Sequence, residues 1–252
     1  MGAVLVLALV AALFGSSLLR EEPLRVVIVG DSVSYDAEPG IRAALEATGD
    51  VLVETRSIGG VGLLRPGIDG YLAESLEDEP DVVVVMLGGW DLGEILEDPS
   101  AYEQRLDEVA ELLTSSGANI VWLGMPPTPP GEGIENARQA ANRLFAGLGD
   151  RHPSVVYIPT GPVIGGPTGG SEPGFVRFRA GIDGTWIQVR KVREGRDDGH
   201  LCPGGAVLLG SVVLDAVSKR FGLGTPADLW WEGSWTSDPR YDDPPGSCSA
   251  TA

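Results

Sequence analysis

Ser32 stands just past a run of β-branched residues, in VVIVGDSVSYDAEPG (Val26–Gly40). A serine hydroxyl becomes a nucleophile only when a base takes its proton and a third group orients that base. The chain offers two histidines for the task, His152 and His200. His152, in DRHPS, precedes a predicted strand and so falls on the edge opposite Ser32; it reads as a surface-loop histidine. His200, in GRDDGHLCPGGA, lies between a predicted hairpin and the final helix and can return to the edge that carries Ser32. Asp197, three residues earlier, is the expected orienting carboxylate: in a tight turn it reaches Nδ1 and leaves Nε2 for the serine. Asp198 is the alternative. Asp31 is expected to brace the turn. The catalytic set is therefore Ser32, Asp197 and His200, and its chemistry is acyl transfer through serine. A helix cap is the competing role for Ser32 alone, but a cap needs no histidine.

Other chemistries are disfavoured. No structural zinc site is expected from the two cysteines, Cys202 and Cys248, and the two histidines. No metal or organic cofactor is expected, because serine acyl chemistry is complete without one. The cysteines form either one disulfide, which would tie the C-terminal tail to the body, or two buried thiols. A net charge of −18 repels phosphate backbones, so no nucleic-acid partner is expected, nor a basic patch for anionic lipid.

The elements that must position these groups alternate along the chain. Strands are predicted at Leu24–Val29, Val51–Thr55, Asp81–Leu87, Ile120–Leu123 and Val155–Ile158. Helical segments are predicted at Ile41–Ala47, at Tyr102–Leu113, along a face carrying Ile134, Ala141, Leu144, Phe145 and Leu148, and at Val207–Phe221. Five strands alternating with helices predict a doubly wound, three-layer α/β/α sandwich on a parallel sheet. Sites in such sheets form beyond the carboxyl ends of the strands. Ser32, Gly59–Gly60 and Gly88–Asp91 all fall there. VRFRAGIDGTWIQVRKV (Val176–Val192) breaks the rhythm and reads as a β-hairpin about Gly181–Gly184. The tail from Thr225 is rich in Pro, Gly, Asp and Trp. Its tryptophans in LWWEGSW (Leu229–Trp235) either stack on sugar or cover the body as a wrapped tail.

Met1–Leu19 carries no charge and nears the roughly 20 residues that span a bilayer. It lacks the positive n-region and A-x-A-like site of a cleaved signal. The expected organisation is a membrane anchor or signal segment over 1–20, a hydrolase-like domain over 24–222, and a Trp/Pro-rich tail over 223–252.

Gly30-Asp31-Ser32-Val33 resembles the GDSL block of the SGNH hydrolase family, and Asp197-Asp198-Gly199-His200 resembles its D-x-x-H block. SIGGVGLL (Ser57–Leu64) is similar to the family's glycine block, with Gly60 at the position whose amide faces the oxyanion. The resemblance implies a five-stranded, flavodoxin-like SGNH hydrolase fold with no cofactor. It also implies an oxyanion hole made by the Ser32 and Gly60 amides. One block departs: where the family has an asparagine donor, LGGWDLG places Trp90. Its indole N–H either replaces that amide or the ring is a wall. VVVVMLGGWDL and GHLCPGGA are most similar to the extracytoplasmic SGNH domains associated with bacterial membrane O-acyltransferases. This implies an esterase or deacetylase on O-acyl esters of cell-envelope glycans, or an O-acyltransferase with a sugar hydroxyl as acceptor. The implied partners are an acylated carbohydrate or other small ester and a membrane acyltransferase, with the domain outside the cytoplasm, anchored or secreted. A non-catalytic glycan-binding or scaffolding domain on the same fold is the reading from a different class.

Overall fold

In the computed structural model, residues 22–167 and 172–250 are described. The uncharged N-terminal stretch, expected as an apolar anchor helix or signal, lies outside them. Among the described residues no helix is long and apolar enough to cross a membrane.

Five parallel strands form the central sheet in the order β2-β1-β3-β4-β5. They are β1 (Leu24–Gly30), β2 (Val51–Thr55), β3 (Val82–Met86), β4 (Asn119–Leu123) and β5 (Val155–Ile158). β1 and β3 pair side by side at the centre, and every residue of β3 is buried. A strand covered on both faces needs apolar residues at consecutive positions, which is why VVVVM reads as an unbroken run. Alternation then divides the core. Val27, Val29, Val83 and Val85 face one layer with α4 (Pro99–Thr114) and α5 (Glu135–Ala146), among them Leu106, Val109 and Phe145. Val26, Ile28, Val82 and Val84 face the other with α1 (Ser32–Glu46) and α8 (Pro203–Phe221), through Ile41, Leu45, Leu209 and Val213. The five-stranded parallel α/β sandwich is as the pattern predicts.

α1 and α8 cross in close contact. A Cβ on Gly40 would lie 2.4 Å from the Ala206 carbonyl, and one on Gly210 would lie 2.5 Å from the Gly40 oxygen. The helix that begins at Ser32 is thereby packed directly against the helix that follows His200.

α1 starts nine residues before the predicted Ile41, and the physical reason is polar. Ser34, Asp36 and Glu38 are buried yet hydrogen-bonded, so this half of the helix shows no apolar stripe. Pro39 sits within α1 and has no N–H for the Tyr35 carbonyl one turn back. Arg240 from the tail donates to that carbonyl instead, with its guanidinium over the Tyr35 ring.

The predicted hairpin is present as β6 (Phe178–Ala180) and β7 (Trp186–Gln188). A second antiparallel pair follows that the sequence reading did not separate: β8 (Arg190–Arg193) and β9 (Arg196–Leu201), turning at Glu194 and Gly195, both with positive φ. The tail wraps the body. Trp230 packs against the core layer that holds α1 and α8, and Trp235 donates to the Trp230 carbonyl. Tyr241 is buried with its hydroxyl on the Asp36 carbonyl. A Cys202–Cys248 disulfide joins the tail to the residue that precedes α8.

Candidate active site

The turn after β1 has to be tight. A Cβ on Gly30 would lie 2.2 Å from the Ser34 Cβ and 2.6 Å from the Met86 carbonyl, so only glycine fits between β1 and α1. Asp31 then caps α1, its Oδ1 accepting from the Val33 amide at 2.9 Å and the Ser34 amide at 3.4 Å. Burial raises the Asp31 pKa to about 6. The amides of Val33, Ser34 and Gly89, with nearby His200, pull the other way. Asp31 therefore braces the nucleophile turn and the loop after β3 together.

A sign follows for stability. The folded-state pKa lies above the ordinary 3.8, so the native state holds this proton more tightly than the unfolded chain. Stability from Asp31 is full below the unfolded pKa and is lost as pH rises to about 6. The shift of about 2 units, at about 1.4 kcal/mol each, amounts to about 3 kcal/mol. Asp31→Asn does not titrate. On acidification from about pH 7 to below about pH 4, wild type should gain about 3 kcal/mol relative to the variant, measured by denaturant unfolding across pH.

Ser32 Oγ lies 2.9 Å from His200 Nε2. His200 Nδ1 lies 2.7 Å from Asp198 Oδ1, which also accepts from the His200 amide at 2.7 Å. The expected carboxylate is corrected here: Asp197 points elsewhere and pairs with Arg177 at 2.8 Å. The segment is strand β9 and not a tight turn. Side chains on a strand alternate, so Asp198 and His200, two apart, share a face while Asp197 takes the other. Burial pushes the Asp198 carboxyl up, but the His200 ring, the His200 amide and charge, and nearby Arg193 outweigh it and hold it below the usual carboxylate range. His152 lies before β5, on the far edge, 2.9 Å from Asp107.

β2 continues alongside β1 into the glycine block, with the Ile58 amide on the Gly30 carbonyl at 2.9 Å. Glu38 and Ser34 of α1 take the Ser57 amide and hydroxyl, each at 2.8 Å. A Cβ on Gly59 would sit 3.8 Å from the Ser32 Cβ. Gly60 has φ +76°, a conformation that favours glycine, and Arg65 donates to its carbonyl at 2.6 Å. Among the described residues no protein acceptor takes the Ser32 or Gly60 amide. Trp90 is 62% exposed, and its Cζ2 would lie 3.9 Å from a Cβ on Gly60. The ring is a lip over the glycine loop.

Several residues that hold the site carried no clear sequence signal. Asp91, named only within its loop, is buried and accepts from the Leu63 amide at 2.6 Å and the Tyr102 hydroxyl at 3.0 Å, tying the loops after β2 and β3 together. Arg190 is fully buried and donates to the carbonyls of Gly199 and Pro127, bridging β9 to the loop after β4; burial lowers its pKa to about 9. Asp36 accepts from Lys191 at 3.1 Å and from the Leu201 amide at 3.0 Å, gripping the residue after His200. Ser32, His200 and Trp90 open onto a cavity of about 250 Å³ that runs towards Met125 and Ile134.

No curated protein matches the chain in sequence. A GDSL-like lipase from Bacteroides thetaiotaomicron VPI-5482 superposes with a TM-score of 0.53 at 15% identity, covering 84% of this chain and 96% of that one. A protein assigned to the G-D-S-L family from Desulfitobacterium hafniense DCB-2 gives a TM-score of 0.56 at 14% identity, covering 76% and 98%. The C-terminal catalytic domain of peptidoglycan O-acetyltransferase A from Streptococcus pneumoniae gives 0.49 at 12% identity, covering 82% and 99%. The first two likenesses show the fold, that of the GDSL, or SGNH, hydrolases. The family described as "Protein of unknown function (DUF459)" matches residues 25–216, and the chain belongs to that family.

Proposed function

We propose that the chain is a serine-dependent acyl-ester hydrolase or acyltransferase. One observation carries the reading: Ser32 Oγ, His200 and Asp198 stand in hydrogen-bonding sequence at 2.9 and 2.7 Å, at the carboxyl edge of the sheet. Ser32 Oγ attacks the ester carbonyl and its proton passes to His200 Nε2. Asp198 holds the ring and stabilises the imidazolium. The Ser32 and Gly60 amides receive the oxyanion, a stabilisation worth roughly 10²–10³ in rate per donor in other enzymes. Collapse expels the alcohol, which takes the proton from His200, and leaves an acyl ester on Ser32. Water then releases the acid, or a sugar hydroxyl takes the acyl group.

The alcohol half of the substrate is a sugar, on this reading an O-acylated glycan of the cell envelope. The exposed face of Trp90 beside Gly60 supports it, since an aromatic ring at a site's mouth suits the apolar face of a sugar. The test uses a fluorophosphonate probe on the full chain. Ser32 should be labelled and Ser32→Ala should not, and only the former should turn over a short acyl ester. No Ser32-dependent labelling, with no turnover, rejects catalysis and leaves a binding role for the same fold. Free acid or acylated oligosaccharide among the products then separates hydrolase from transferase.

A further inference from the structure

We propose that the cavity beside Ser32 holds the acyl chain of the substrate, and that this chain is a hydrocarbon of roughly six to ten carbons and not an acetyl group. The inference rests on the acyl-ester reading above and names the substrate class of that site.

The walls argue for hydrocarbon. Val33, Leu92, Met125, Pro126 and Ile134 line the space between Ser32 and α5. Met125 reaches the loop after β3: a Cβ on Gly89 would lie 2.8 Å from its Cε. Two polar residues of the lining, Thr128 and Arg138, are engaged by Glu135, which is not itself part of the lining. Glu135 accepts from Arg138 Nε at 2.8 Å, and from the Thr128 amide and hydroxyl at 3.2 Å each. Arg138 Nη1 is on the Met125 carbonyl at 2.9 Å. The Asp31 carboxylate is taken by amides of its own turn. Apart from Asp31 and Asp198, Glu132 is the remaining carboxylate of the lining, and it stands exposed at the rim. A sugar driven into this space would leave hydroxyls without partners, an unfavourable burial. Of the two halves of an acyl sugar ester, only the acyl half is apolar enough to enter, and the sugar stays outside at Trp90.

The volume argues for length. An apolar cavity of about 150 Å³ takes a benzene ring in another protein. The cavity here, about 250 Å³, would be left mostly empty by an acetyl methyl.

The experiment is a series of nitrophenyl esters of one fixed alcohol, with acyl chains from two to twelve carbons, on the full chain. Expected is a rise in kcat/KM of roughly fourfold per methylene, a maximum at six to ten carbons, and a fall beyond. Ile134→Trp, at the partly buried rim, moves the maximum to two to four carbons. Inactivation rates with short and long alkyl fluorophosphonates follow the same order without any deacylation step. An acetyl maximum, or a profile that Ile134→Trp does not move, overturns the acyl cavity while Ser32 labelling still upholds the enzyme. A gain that follows the length of the alcohol at fixed acetyl also overturns it. Loss of Ser32 labelling altogether overturns both readings.

Discussion

Asp198→Asn lowers kcat/KM on an acyl ester by roughly 10³–10⁴-fold, while Asp197→Asn leaves it within about threefold. Asp198 Oδ1 accepts from the His200 ring and from the His200 amide, both at 2.7 Å, so the ring is fixed in orientation and tautomer. The proton sits on Nδ1, and the Nε2 lone pair faces Ser32 Oγ at 2.9 Å. An asparagine at 198 can offer its NH₂ to Nδ1, which reverses the tautomer and points an N–H at the serine. In a serine protease the same exchange lowers kcat by about 10⁴. The lowered pKa of Asp198 favours the ionised form that accepts from Nδ1. Asp197 has a different task. Its carboxylate is 36% exposed and holds Arg177, a surface pair worth roughly 0–1 kcal/mol. Kinetics on both variants, with melting curves to exclude unfolding, decide the matter. Equal losses in the two would place β9 out of register.

That pair of aspartates marks where the sequence stops being legible. The centre of the sheet was legible because β3 is buried on both faces: VVVVM admits little else. Ser32 and His200 were legible by scarcity, since only one histidine could return to the serine's edge. The choice between Asp197 and Asp198 turned on the local period, two for a strand against a turn. The missed signal was Glu194-Gly195, the turn that makes Arg190–Leu201 a hairpin. The early start of α1 was hidden for another reason. Asp36 and Glu38 look like surface residues in sequence, yet their partners, Lys191 of β8, Leu201 of β9, Ser57 of the glycine block and Arg240 of the tail, are distant along the chain. Met125, Ile134 and Arg138 were illegible as a cavity because their meeting depends on the loop after β4 folding over α5, which no local pattern encodes.

Lys191→Met should destabilise the protein by about 3–5 kcal/mol, because it strips a buried carboxylate of its cation. Both side chains of the Asp36–Lys191 pair are 3% exposed. Lys191 also donates to the Arg240 carbonyl at 2.7 Å, so the same ammonium ties α1, β8 and the tail. Burial already raises the Asp36 pKa, and the Lys191 charge is the leading influence that lowers it. Without Lys191 the carboxyl rises further. A raised carboxyl pKa gives stability at low pH that is lost as pH rises, so the Lys191→Met deficit should be largest near neutral pH and shrink on acidification. The double variant Asp36→Asn/Lys191→Met leaves no unpaired charge and should recover most of the loss. Catalysis separates two roles of Asp36. Its Oδ2 holds the Leu201 amide at 3.0 Å, next to His200. Asparagine retains an acceptor there and alanine does not, so Asp36→Ala/Lys191→Met should show the lower kcat at equal KM. Equal kcat in the two doubles would reduce the pair to a stabilising contact with no hold on His200.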